Sequence, residues 1–290
     1  MKYIKLTTER VEKKIADSLP NNFGIIIDGW KEGTTHYIAV FAIYANNVGV
    51  GNHLLLAIAP PFDETTYTAQ NHKAFIGDVL ELYGKSLGNL IYLVADNAAV
   101  NTRLADLLGI PMIGCASHRF NLACKKYLES SENVLQKIQS LMTSLRQVKQ
   151  AGKLRTKTDL EPIIRNVTRW SSTFEMVQRF LTLLEFIDTT DAALAENLPT
   201  PLEIIALNDL MKDLEQFQTT TLLLQDEKRN LQEVRSIFDE MLKHYPSMNY
   251  YISSDGGIVH SPDFEIAIVK VIEDEVNSTK GIVEAISSRK

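Results

Sequence analysis

Cysteine is scarce in this chain, with two residues, Cys115 and Cys124, among 290. They fall where a strand end and a helix are expected, so they read as reduced thiols and not as a disulfide staple. That suits a nuclear or cytosolic protein. Long apolar runs are missing as well. No segment approaches the roughly 18 to 20 uninterrupted apolar residues of a membrane helix. The opening MKYIKLTTERVEKKI has no apolar signal-peptide core, so secretion is not expected. No linker rich in Pro, Gly or Ser, no internal repeat and no low-complexity tract breaks the chain. What is present is ordinary globular composition, 45% apolar and 23% charged, in a length that allows one large core or two domains.

A helix is expected from Thr7 to Ser18. Three runs of strand character follow: GIIID (Gly24 to Asp28), HYIAVFAIYA (His36 to Ala45) and VGVGNHLLLAIAP (Val48 to Pro60). Gly29 and Gly33 supply the first turn, Asn46-Asn47 and Gly49 the second, and Pro60-Pro61 stops the third strand. Short connections imply an antiparallel meander. Phe75, Val79, Leu80 and Tyr83 mark one face of a helix from Thr68 to Tyr83. Then come a strand, LIYLVAD (Leu90 to Asp96), and a helix from Ala98 to Leu108 ended by Gly109 and Pro111. A short strand in PMIGC and a helix from Arg119 to Leu128 complete the series.

The order β-β-β-α-β-α-β-α predicts an α/β fold in which a meander continued by αβ units makes a mixed sheet covered by helices. This is the ribonuclease H-like topology, whose first two metal-binding acids stand on the first and fourth strands. Asp28 and Asp96 occupy those strands, each closing a run of buried-type residues. A carboxylate just past such a strand is what a metal-dependent phosphoryl-transfer site uses.

The net charge of −6 conceals an asymmetry. Cys115 to Trp170 holds eleven Lys or Arg against four Asp or Glu, so it carries +7 and the remainder −13. Basic residues gathered in one region are what phosphate contact requires, whereas the acidic total argues against unspecific coating of nucleic acid. Two readings stand for the helix Glu132 to Gln150: a DNA-facing surface, or a solvated face carrying Lys137, Arg146 and Lys149. In AGKLRTKTDLEPIIRNVTRWSS the chain turns polar around Lys153, Arg155 and Lys157 and ends in Arg169-Trp170. An arginine beside a tryptophan can offer a phosphate contact next to a stacking face. It can equally be a Trp packed between helices with its Arg in a salt bridge. Cys115-Ala-Ser-His118 gives two of the four ligands a closed zinc site needs, and His36, His53, His72, His244 and His260 show no spacing that finishes the set. His118 reads instead as a group that touches a phosphate or orients a catalytic residue.

LTTERVEKKIADSLPNNFGIIIDGW, VADNAAVN, GCASHRFNLACKKYL and NVTRWSSTFEMVQRFL together resemble the hAT superfamily of DNA transposases and the zinc-finger BED-type proteins derived from them. The resemblance runs from Tyr3 to Leu184 and continues more faintly through FQTTTLLLQ, RSIFDEMLKHYP and GIVHSPDFEIAIVKV. It implies that Asp28 and Asp96 are the first two acids of an Asp-Asp-Glu site holding paired Mg²⁺ or Mn²⁺ ions for phosphodiester cleavage and strand transfer. It implies that Cys115 and His118 match a Cys/His-x-x-His element near the scissile phosphate. Arg169 and Trp170 match an Arg-Trp element whose Trp stacks on a flipped base. DNA, as transposon ends, is the implied partner, the nucleus the implied location, and a homo-oligomer is implied only where the family's C-terminal dimerisation segment is present.

The third acid is where the sequence departs from the family. There the glutamate follows a long helical insertion, in a segment with a Ser-x-x-x-Glu-Arg-like signature. Here FEMVQRFLTLLEFID, LNDLMKDLEQFQTTTLLLQ and NLQEVRSIFDEMLKHY are helical in period, Pro199 and Pro201 mark a helix break, and Ser253 to Pro262 reads as a polar loop. The closing VIEDEVNSTKGIVEAISSRK holds Glu273, Glu275 and Glu284, which read as solvated, and no Glu-Arg pair. With no Cys or His before His36, the paired ligands of a BED finger are missing too. The expected organisation is an N-terminal helix over 1–20, a ribonuclease H-like core over 21–130 and a helical insertion over 131–290 that does not return to the core. Another ribonuclease H-like nuclease, with its last acid on the first helix or near Asp106, is the less favoured geometry. The expected function is a transposase-derived domain, inactive for want of the third acid and retained as a nucleic-acid or protein binding module. The alternative is an active divalent-metal-dependent transposase or nuclease as part of a longer protein.

Overall fold

The computed structural model describes residues 2–45, 51–61, 66–166 and 168–287, and of 2–6, 52 and 275–287 the backbone path alone. The turn expected at Asn46, Asn47 and Gly49 lies outside the described residues. The chain forms two compact units: Met1–Arg119 together with Ser254–Lys290, and Phe120–Ser253.

The first unit is an α/β structure. After helix α1 (Lys2–Ser18), strands β1 (Phe23–Glu32), β2 (Thr35–Ala45) and β3 (Gly51–Ala59) form the meander. Helix α2 (Ala69–Leu82), β4 (Leu90–Ala95), α3 (Ala99–Leu108), β5 (Met112–Gly114) and the start of α4 (Ala116–Leu128) follow. The five-stranded sheet has the order β3-β2-β1-β4-β5. β1, β2 and β3 pair antiparallel, while β4 and β5 join β1 in parallel.

Alternation along the strands sends Ile25, Ile27, Ile38, Val40, Ala42 and Leu93 to one face. There they are buried with Leu19 after α1, Phe75, Ile76, Val79 and Leu80 of α2, and Leu104 and Ala105 of α3. Thr68 caps α2 by accepting from the Asn71 N–H, and Gly109 ends α3 in the left-handed region at φ 68°.

The sequence led us to expect that residues 131–290 stay away from the sheet, and the structure corrects this. From Ser254 the chain belongs to the first unit, ending in helix α11 (Pro262–Ser287). The Asn97 amide donates to the Ile258 carbonyl (2.9 Å), and the Met112 N–H donates to Ser261 Oγ (3.1 Å). Phe264 lies 6.2 Å from the Tyr92 ring. Tyr92 points opposite to Leu93, so α11 covers the second face of the sheet. Tyr92 itself needs Gly24 across from it, since a Cβ there would stand 2.3 Å from its ring. Arg119 and Glu265 form an ion pair at 3.0 Å, with side chains 3% and 8% exposed. The partners that draw the chain back are far away in sequence, so no local pattern announces them.

The second unit is helical: the rest of α4, α5 (Glu132–Leu145), α6 (Val148–Arg155), α7 (Ser171–Leu183), α8 (Pro201–Leu224), α9 (Leu231–His244) and α10 (Asn249–Ile252). The single helix expected over Glu132 to Gln150 is two, because Arg146 and Gln147 break it. Pro201 opens α8 at its first position, where a missing N–H costs nothing, behind a Thr200–Glu203 capping box. Phe217 of α8 is fully buried among Phe120, Tyr127, Trp170 and Tyr245, with ring centroids 4.9 to 5.9 Å away. The hydroxyls of Tyr127 and Tyr245 both donate to Asp213, at 2.7 and 2.8 Å. Burial and this carboxylate push the Tyr127 phenol up to about 12.

Candidate functional site

Asp28 does not end its strand. β1 runs on through Gly29 to Glu32, paired with β2. Asp28 stands instead where β4 leaves β1, since the last β1–β4 pair is Ile26↔Val94. Asp28 and Asp96 each lie two residues beyond that pair, Asp28 within β1 and Asp96 just past the carboxyl end of β4, on neighbouring parallel strands spaced about 4.8 Å apart. In open α/β sheets ligands sit at such ends.

Both aspartates line one small pocket of about 40 Å³, with Gly29, Tyr67, His72, Ala98 and Asn101 around them. That is room for one or two waters or a small ion. Asp28 is exposed and Asp96 half-buried. Asp96 is held in place: its Oδ1 accepts from the Ala98 N–H (3.0 Å) and from the Asn101 amide (2.6 Å), an Asx turn that starts α3. Burial, then Asp96 and Asp28, raise the Tyr67 phenol, so its hydroxyl stays protonated beside them.

Tyr67 stacks edge-on between His36 and His72, with centroids 4.3 and 4.4 Å away. Gly29 makes the approach feasible, because a Cβ there would lie 3.0 Å from His36 Nε2 and 3.1 Å from the Tyr67 hydroxyl. His72 is buried, and its Nδ1 lies 2.7 Å from the Thr68 carbonyl. A carbonyl only accepts, so Nδ1 carries the proton and Nε2 the lone pair.

Burial lowers the His72 pKa below 6.5, with His36 adding to the effect and the Thr68 carbonyl opposing it. The fold therefore favours neutral His72. Its contribution is complete above about pH 6.5 and is lost as pH falls toward the folded-state value. Denaturant midpoints of the sheet unit should drop on acidification from about pH 7 to pH 5. His72→Phe should flatten that slope, and an unchanged slope would show that His72 is not its source.

Cys115 joins this neighbourhood. Its N–H donates to the Ala95 carbonyl (2.7 Å), beside Asp96. Burial raises its thiol pKa, with Asp28 and Asp96 adding to the rise and the backbone of His118 and Ser117 opposing it. The sulfur is a neutral thiol at this place and not a nucleophilic thiolate. His118 sits half-buried in the first turn of α4. Asp106 faces His260 at 3.2 Å and Arg103 at 3.6 Å.

The remaining expected site residues belong to the second unit. Trp170 is 3% exposed, and its backbone N–H donates to Asn121 Oδ1 (3.2 Å). Packed against Phe174 and Phe217, it offers no open face to a base, so the expectation that it stacks on one is corrected. Arg169 is exposed. Lys153 pairs with Asp191, and Lys157 donates to the Phe186 carbonyl (3.0 Å), while Arg155 is exposed at the end of α6. Arg165 and Lys137 are likewise paired, with Glu132 and Glu203. Of the eleven basic side chains of this stretch, Arg119, Lys126, Lys137, Lys153 and Arg165 are ion-paired, three of them with acids outside it, which leaves +4 of its +7.

Two divalent ions about 3.5 to 4 Å apart need more than two carboxylates. Among the described residues no group of three His, Cys, Asp or Glu side chains is placed to hold a metal ion. Glu265 is committed to Arg119, and Glu273 is exposed. The side chains of Glu275 and Glu284 lie outside the described residues. The described donor set accordingly does not fit a two-ion centre; Asp63 and Glu64, which precede Tyr67 in the chain, also lie outside the described residues. Tyr67, His72 and His36 were not legible as site residues, since nothing local links them to Asp28. Asn101 could have been found, because in ADNAAVN it lies one helical turn beyond the strand-end acid.

The chain matches no protein-family model, and a search of curated proteins also finds no match. No helix among the described residues is long and apolar enough to cross a membrane.

Proposed function

We propose that this chain is a ribonuclease H-like domain of hAT transposase descent that engages nucleic acid at the carboxyl ends of its parallel strands without completing a two-ion cleavage site. The observation that carries the reading is that Asp28 and Asp96 each stand two residues beyond the last β1–β4 pair and line one pocket, where the described donor set offers two carboxylates. The strand order β3-β2-β1-β4-β5 agrees with a ribonuclease H-like topology. The return of α11 to the second face supports it too, since an inserted helical region then interrupts one α/β unit. The hAT-like segments supply the link to DNA.

Incubation with Mn²⁺ and nicked or hairpin DNA tests the reading. No cleavage above that of the Asp28→Ala variant is expected, alongside measurable binding of the same DNA. Cleavage abolished by Asp28→Ala would overturn it in favour of an active metal-dependent transposase or nuclease.

A further inference from the structure

The β1–β2 hairpin carries an aromatic pair that neither the core nor the carboxylate pocket uses. β4 leaves β1 after Ile26, and the last β2–β3 pair is Ile38↔Ala59. The pairs Trp30↔Tyr37, Lys31↔His36 and Glu32↔Thr35 therefore project past the sheet as a two-stranded ribbon. Trp30 and Tyr37 stack nearly parallel, with centroids 5.6 Å apart and ring planes 17° from each other. Trp30 is 40% exposed, and Lys31 beside it is exposed as well. Strand alternation puts Trp30 on the same face as Asp28, two residues further along.

The geometry points to Trp30 as a stacking platform for an unpaired base of a single-stranded nucleic acid, on the face of β1 that carries Asp28. This rests on the nucleic-acid reading above and names the form of the ligand. Stacking on Tyr37 fixes the indole in place, so little side-chain freedom is lost when a base lands on it. Every base has a π-face, which makes such a platform tolerant of sequence. Asp28 and Glu32 flank it on the same face of β1 while Lys31 projects to the opposite face, so the contact expected there is with a base and not with a phosphate. The bases of a duplex are already stacked on each other and cannot take this position.

The chain has two tryptophans, and the other is buried, so indole emission isolates the platform. The unmodified protein is titrated with oligothymidylate and with oligouridylate at low salt, following tryptophan emission and, separately, the anisotropy of a labelled oligomer. Binding should quench emission in the unmodified protein. It should leave the residual Trp170 emission of Trp30→Phe unquenched, and a duplex of equal length should quench less. Trp30→Ala should weaken binding about tenfold or more. Binding seen by anisotropy without quenching, or with unchanged affinity in Trp30→Ala, overturns the platform and leaves the nucleic-acid reading standing. Absence of binding to every oligomer and duplex overturns both.

Discussion

Glu265→Ala is expected to destabilise the sheet unit by about 3 to 5 kcal/mol, because it strips the carboxylate from a buried arginine. Both side chains are under 10% exposed, so the guanidinium of Arg119 cannot recover its lost partner from bulk water. The pair itself contributes little over an apolar contact of similar shape, since desolvation of two ions offsets their attraction. Arg119→Met combined with Glu265→Leu should therefore restore most of the loss. Denaturant unfolding of a Trp170→Phe background, in which Trp30 alone reports on the sheet unit, gives the measurement. Equal midpoints for the parent and Glu265→Ala would mean that α11 is not held by this pair. A double variant no better than the single one would mean that the charge is not what matters.

Phe217→Ala should destabilise the helical unit by about 3 to 5 kcal/mol, the cost of lost transfer free energy plus the cavity left by a fully buried ring. Four aromatic rings converge on it, and each edge-to-face contact adds to the area term. Trp170, 5.9 Å away, reports the change directly through its emission in a Trp30→Phe background. Phe217→Leu refills most of the volume and should recover about half of the loss. A loss below about 1 kcal/mol for the alanine variant would show that the neighbouring rings collapse into the space.

The sheet was legible because strands with one buried face advertise themselves in apolar, β-branched runs, and each helix here carries its own period. The boundaries were less so. Gly29 looks like a strand breaker, yet β1 continues through it because β2 supplies Ile38 as a partner and His36 and Tyr67 fill the space a side chain would take. Arg146-Gln147 gives no breaking signal in the sequence, and the break between α5 and α6 follows from packing.

Charge misled for a related reason. Counting Lys and Arg in a window ignores acids outside it, and Asp191, Glu203 and Glu265 lie beyond Trp170 while neutralising Lys153, Lys137 and Arg119. The reading of Trp170 failed on the same ground. Sequence spacing does not say which indole is covered, and Phe174 of α7 together with Phe217 of α8 packs against this one.

By itself the sequence determined the order of elements through α4, the placement of Asp28 and Asp96 on neighbouring strands, and the caps that start α2 and α8, because these depend on neighbours within a few residues. The tertiary structure alone decided that Ser254 to Ser287 rejoins the sheet, that Tyr67, His72 and Asn101 gather at the two aspartates, and that acids beyond Trp170 pair with Arg119, Lys137 and Lys153. Each of those rests on contacts between residues far apart in the chain, whose free energy depends on burial and geometry that no local pattern encodes.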